Sequence, residues 1–84
     1  MKKGEETTDN IKYLLGDMGM EIFYAIESGA KDIETIKIFS GISIECIRGR
    51  LPVLIDLELV MKNEKGLFVT NKGINFKKKI GLSH

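Results

Sequence analysis

A chain of 84 residues, 43% apolar and 30% charged, has the size and composition of one globular domain and not of a disordered segment. No apolar run approaches the ~20 residues needed to cross a bilayer, and the lead Met1-Lys2-Lys3-Gly4-Glu5-Glu6 is not the apolar stretch of a signal peptide, so no membrane partner and a cytoplasmic location are expected. The formal net charge is only +1, yet residues 1–42 carry −3 (5 Lys/Arg against 8 Asp/Glu) and residues 43–84 carry +4 (8 against 4), so the second half can offer phosphates a positive face.

Residues 1–9 are charged and without apolar periodicity, which predicts a flexible lead. Ile11, Leu14, Leu15 and Met18 recur at helical spacing and predict a first helix over about 10–16, capped by Thr8 or Asp9. Gly16-Asp17 interrupts it. Asp17 is expected to cap a second helix, with Met18, Ile22, Phe23 and Ile26 on its inner side and Ser28-Gly29 at its end. Asp32 caps a third helix whose Ile33, Ile36 and Phe39 are expected to face inward, and Ser40-Gly41 stops it. Ser43 caps the fourth and longest helix. Its Ile47, Leu51 and Leu54 share one face, and Glu45, Gly49, Pro52 and Asp56 centre the opposite one. Pro52 predicts a kink near 49–52, or a helix in two segments.

After Glu58 the apolar period changes from 3.6 towards 2. Leu59-Val60-Met61-Lys62 and Leu67-Phe68-Val69-Thr70 are β-prone runs, and the four-residue connection Asn63-Glu64-Lys65-Gly66 predicts a hairpin. Thr70 or Asn71 is expected to cap a last short helix carrying Ile74, Phe76 and Ile80, followed by a tail at 81–84.

Gly41-Ile42-Ser43 at the turn, Leu59-Val60 before the hairpin and Thr70-Asn71-Lys72-Gly73 at the last helix stand in one ordered set. In that order the chain resembles the winged-helix family of DNA-binding domains over about residues 11–80. Leu15-Gly16-Asp17 ahead of an amphipathic helix is similar to the start of the arsenical-resistance-type (ArsR) repressors, so the resemblance is to small ArsR/MarR-like transcriptional regulators. It implies an α+β, mainly α fold at residues 10–80: three to four helices, a two-stranded β-hairpin wing and a short C-terminal helix. Three positions depart from the family's pattern. Glu58 stands where a Gly usually ends the recognition helix, Gly49 where a polar or basic residue is common, and Pro52 lies within the helix.

In a helix–turn–helix the N-terminal residues of the second helix meet base edges in the major groove. Here these are Ser43, Ile44, Glu45, Cys46, Arg48 and Gly49. The free N–H groups beyond Ser43 can hold a phosphate. Arg48 can bond guanine O6 and N7, Glu45 can accept from cytosine N4, and Gly49 lets backbone approach closely. Lys62, Asn63 and Lys65 would sit on the wing, towards phosphate or the minor groove. Lys72 and Arg50 are weaker candidates, with Arg50 placed towards the core flank where its stem can lie along apolar surface.

The expected function is therefore transcription regulation by binding double-stranded DNA, as a homodimer joined through Ile11, Leu14 and Leu15 and the last helix around Ile74, Phe76 and Ile80. The second reading is a winged helix serving as a protein–protein module of a larger assembly, to which Glu45, Asp56, Gly49 and Pro52 on the outer face lend weight. An enzyme is not expected, since no nucleophile–base pair or phosphate-cradling loop stands in the chain. No cofactor is expected, and one Cys46 with a terminal His84 cannot build a metal site. Cys46 lies in a first helical turn near Arg48 and Arg50, on the side where oxidation would add bulk, although packing is the ordinary role of a lone Cys. The 12 Ile and 11 Lys against 2 Arg suggest an AT-rich genome, archaeal or of an archaeal virus.

Overall fold

Capping residues and glycines divide the chain. A computed structural model describes residues 7–82, so the first six residues of the expected lead and the last two of the expected tail lie outside the described residues. The elements are α1 (Thr8–Glu27), α2 (Ile33–Ser40), α3 (Ile44–Asp56), β1 (Val60–Asn63), β2 (Gly66–Val69) and α4 (Asn71–Leu82). The class is α+β, mainly α, with one antiparallel two-stranded hairpin. No helix among the described residues is long and apolar enough to cross a membrane.

Thr7, not Thr8 or Asp9, caps α1: the Asn10 N–H donates to Thr7 Oγ1 at 3.1 Å. The expected interruption falls at Gly16, whose φ of 68° and ψ of 179° kink the helix between two segments. Only glycine holds such a conformation cheaply. The kink shifts the helical phase, so the spacing that joins Met18 to its neighbours on paper does not survive it. Ile11, Leu15, Ile22, Phe23 and Ile26 are buried and Leu14 is exposed, whereas Met18, expected beside Ile22 on the inner side, is exposed. Gly19 packs on Leu15 instead, where an added Cβ would stand 2.8 Å from Leu15 Cβ.

Asp32 caps α2 as expected, accepting from the Thr35 N–H at 2.8 Å. That backbone bond, then one with the Thr35 side chain, holds the Asp32 carboxyl below its ordinary pKa. The cap therefore stabilises fully above the ordinary carboxylate pKa and is lost as pH falls through the lowered one. A two-turn helix has one central line towards the core, and Ile36 takes it. Ile33 is half-buried, while Phe39, expected inside, is 53% exposed beside Ile38 at 77%.

α3 runs unbroken through Pro52, so the expected division into two segments does not occur. Proline deprives the Arg48 carbonyl of its helical donor, but both residues lie on the exposed face, where water can replace it. Ile47 and Leu54 are fully buried; Leu51, expected between them, is half-buried.

Leu57 ends α3 and Glu58 follows with φ 64°, the only non-glycine described residue at positive φ. The residue singled out as standing in a glycine's place thus adopts a glycine's conformation. Its carbonyl accepts the Thr70 hydroxyl, and the Thr70 N–H donates to Leu59 O at 3.0 Å. Left-handed backbone costs a residue with a Cβ roughly 1–2 kcal/mol, offset in part by glycine's greater freedom when unfolded. Glu58→Gly is accordingly expected to stabilise the fold by about 0.5–1 kcal/mol, read as a higher urea midpoint with an unchanged slope. A lower midpoint would show that the Glu58 side chain contributes more than its backbone costs.

The hairpin pairs Val60 with Val69, Met61 with Phe68, Lys62 with Leu67 and Asn63 with Gly66. Its connection is therefore Glu64-Lys65, two residues and not four. Asn63 and Gly66 form the last rung because Asn63 Oδ1 accepts the Lys65 N–H at 2.8 Å and Gly66 takes φ 125°. Thr70 caps α4, accepting from the Gly73 N–H at 3.0 Å. Phe76 and Ile80 are buried and Ile74 is exposed; α4 continues to Leu82, past the expected boundary at 80. Phe76 meets Phe23 edge-on at 5.5 Å, and Lys77 Nζ pairs with Glu27 at 2.7 Å, so α4 is held against α1.

Candidate nucleic-acid interface

The start of α3 is exposed because the turn before it is closed locally. Gly41, at φ 75°, donates its N–H to Lys37 O at 2.7 Å, and the Ile42 N–H donates to Ser40 Oγ at 3.1 Å. Ile42 is half-buried against the core. Ser43 Oγ accepts the Cys46 N–H at 3.3 Å, which caps the helix and leaves its first turn facing solvent.

Of the expected site residues on α3, Ser43, Glu45, Arg48, Gly49 and Arg50 are exposed. Ile44 is only half-buried, as is Cys46, so Ile44 offers part of its side chain at most. Neither arginine has an ion-pair or hydrogen-bond partner for its side chain among the described residues. A Cβ added at Gly49 would meet no atom within 4 Å, so packing within the chain does not require glycine there. A glycine inside a helix costs roughly 1 kcal/mol relative to alanine, and that cost has no return inside the domain.

The hairpin register decides where its lysines lie. Cross-strand partners share a face and successive residues alternate. Lys62 therefore shares the face of its partner Leu67, which is buried, while Met61 and Phe68 share the outer face. Lys65 is at the connection, and neither Lys62 nor Lys65 has an ion-pair partner among the described residues. Asn63 spends its side-chain oxygen on the turn, which reduces it from a reader of nucleic acid to a shaper of the loop. Lys72 is half-buried in the first turn of α4 and lines a separate shallow groove with Ile55, Met61 and Lys62.

A residue without any sequence signal completes the arrangement. Lys31, between α1 and α2, accepts the Leu67 N–H on its carbonyl at 3.1 Å and extends its ammonium over the Phe68 ring at 4.5 Å. Gly66 lies so close that an added Cβ would stand 2.8 Å from Lys31 O. These contacts tie the hairpin to the start of α2. A cleft of about 410 Å³ remains between the two, with Leu51 of α3 on its third side. The structure thus brings Lys62 and Lys65 to the cleft beside Leu51 of α3, while Lys72 meets Lys62 only on the other groove.

The expected dimer surfaces need correction. Ile11, Leu15, Phe76 and Ile80 belong to the protein's own core, so they cannot face a second copy. Leu14 and Ile74, also expected there, are exposed, and among the described residues of α1 and α4 so are Tyr13 and Met18. No three His, Cys, Asp or Glu residues stand together as metal ligands among the described residues. Comparison with protein families, with curated proteins and with solved structures found no match.

Proposed function

We propose that this chain is a winged-helix transcriptional regulator of the small ArsR/MarR-like kind, binding double-stranded DNA with α3 as recognition helix and the hairpin as wing. The observation that carries the reading is the arrangement just described: a capped helix start after a tight turn and, beside Leu51 in the middle of the same helix, a hairpin carrying Lys62 and Lys65, which have no ion-pair partner among the described residues. In this reading Ser43 and the free N–H groups of the first turn seat a phosphate. Arg48 reads a guanine, Glu45 selects against mismatched bases, and bare Gly49 lets the helix backbone approach the groove. Lys62 and Lys65 neutralise phosphates beside it. Two copies supply the interface that one small domain lacks, joined through the exposed Tyr13, Leu14, Met18 and Ile74. The protein acts by occupancy of DNA and not by catalysis, and it works in the cytoplasm.

Two substitutions separate reading from anchoring. Arg48→Ala is expected to reduce discrimination between binding sites by roughly 1–3 kcal/mol. Lys65→Ala is expected to weaken all sequences alike and to lower the salt slope by about 1. Fluorescence anisotropy with selected and random duplexes over a salt series measures both. Parent-like binding by both variants would remove α3 and the hairpin from the interface. The second reading, a winged-helix protein–protein module, is favoured by one observation: Ile38 and Phe39 are exposed side by side at the end of α2. It predicts no binding of duplex DNA at low salt.

A further inference from the structure

The hairpin has one tied edge and one free edge. On β2 the Leu67 N–H leaves the hairpin for the Lys31 carbonyl at 3.1 Å. Leu67 is the cross-strand partner of Lys62. In an antiparallel ladder such a rung is one whose two members turn their backbone groups away from each other. The Lys62 N–H and C=O therefore point outward from β1, where the two-stranded sheet ends. Met61, Lys62 and Asn63 are exposed, and no backbone bond joins Lys62 to another element among the described residues. An open edge of this kind is a template for one more strand.

The flanks of the edge select which strand it takes. A shallow groove of about 580 Å³ lies beside β1, lined by Ile55, Val60, Met61, Lys62 and Lys72, with Glu58 the one acid among its lining residues. Ile55 and Met61 are exposed, so apolar surface is open to solvent there. Lys62 has no ion-pair partner among the described residues. A second copy pairing edge to edge about this position would set Lys62 against Lys62, and like charges directly opposite are destabilising. A strand with a carboxylate at that place gains what self-pairing loses.

We infer that the free edge of β1 docks an extended segment of a partner protein as a third strand, with an acidic residue opposite Lys62 and an apolar residue opposite Met61. Backbone bonds to Lys62 give attachment, Met61 gives apolar contact, and the Lys62 ammonium selects the charge. Nothing in this edge depends on DNA binding.

The probe is the capped peptide Thr-Val-Glu-Val-Thr, titrated into the isotope-labelled full chain. Amide chemical shifts report where it binds, and amide exchange with solvent reports strand pairing. Shifts are expected at residues 60–62, with the Lys62 N–H exchanging roughly tenfold more slowly at saturation. Lysine in place of the peptide's glutamate should weaken binding roughly threefold to tenfold, the span from an exposed attraction to an equal repulsion. Lys62→Glu should reverse that preference. N-methylation of the peptide's glutamate removes its backbone donor and should abolish the protection. Equal affinities of the two charged peptides for the parent, or binding without protection of the Lys62 N–H, would overturn the site. Shifts at 60–62 that grow with protein concentration in the absence of peptide would overturn it in favour of a second copy. If a random duplex moves residues 60–62 and neither peptide does, the edge belongs to DNA and the peptide site fails. If the peptide binds as expected and duplex DNA does not bind at all, the edge stands and the DNA reading fails.

Discussion

Phe23→Ala is expected to lower the stability of the fold by about 3–5 kcal/mol. Phe23 is fully buried in the second segment of α1, edge-on to Phe76 of α4 and tilted against Tyr24 at 5.9 Å. Truncation removes apolar burial, opens a cavity and breaks the ring contact that holds α4 to α1. Small domains have about 5–15 kcal/mol in total, so the variant should be largely unfolded at modest urea, in circular dichroism as in tryptophan-free fluorescence. Phe23→Leu keeps most of the volume and should cost much less. A loss below about 1 kcal/mol for the alanine variant would contradict the placement of Phe23 at the centre of the core.

Gly73→Ala is also expected to destabilise the fold, although it adds a single methyl group. Gly73 is buried in the first turn of α4, and its N–H donates to Thr70 Oγ1. An added Cβ would collide with the Leu59 carbonyl oxygen and stand 2.6 Å from Val69 Cγ1. The Leu59 carbonyl already accepts the Thr70 N–H, so it cannot move away without loosening that bond. Overpacking of this kind costs about 1–3 kcal/mol, more than the ~1 kcal/mol that alanine gains over glycine in a helix. The melting temperature should fall by roughly 4–8 °C per kcal/mol lost. Gly49→Ala is the internal control: nothing lies within 4 Å of its added Cβ, so that variant should not be destabilised.

Local chemistry was legible in the sequence, and burial at the edges of helices was not. Asp32 and Ser43 read as caps because short polar side chains before apolar-periodic runs have few other uses, and both cap. Glu58 is visible in the sequence only as a departure from a pattern, and no local signal announces its positive φ. Met18 and Phe39, which helical spacing places inward, are exposed for a common reason. Periodicity gives the direction of an apolar stripe but not how much of it a neighbouring element covers. At Gly16 the kink also breaks the phase on which the argument relied.

For the candidate site, residue types were legible and their placement was not. The two-residue connection, where four were expected, adds the rung Asn63–Gly66 and keeps Lys62 opposite Leu67. Lys31 holds the hairpin through contacts with residues 66–68, far along the chain, and no local window contains such a signal. Gly49 was read as permitting close approach; the open space around it shows that nothing inside the domain demands it.

The most direct test of the DNA-binding account is an amide chemical-shift titration of the full chain with a short random duplex at low salt. The account predicts shifts gathered at residues 43–50 and 62–65, shrinking steeply as salt is added because phosphate contacts release counterions. No shifts at any salt, or shifts at Ile38 and Phe39 with residues 43–50 unmoved, would contradict it.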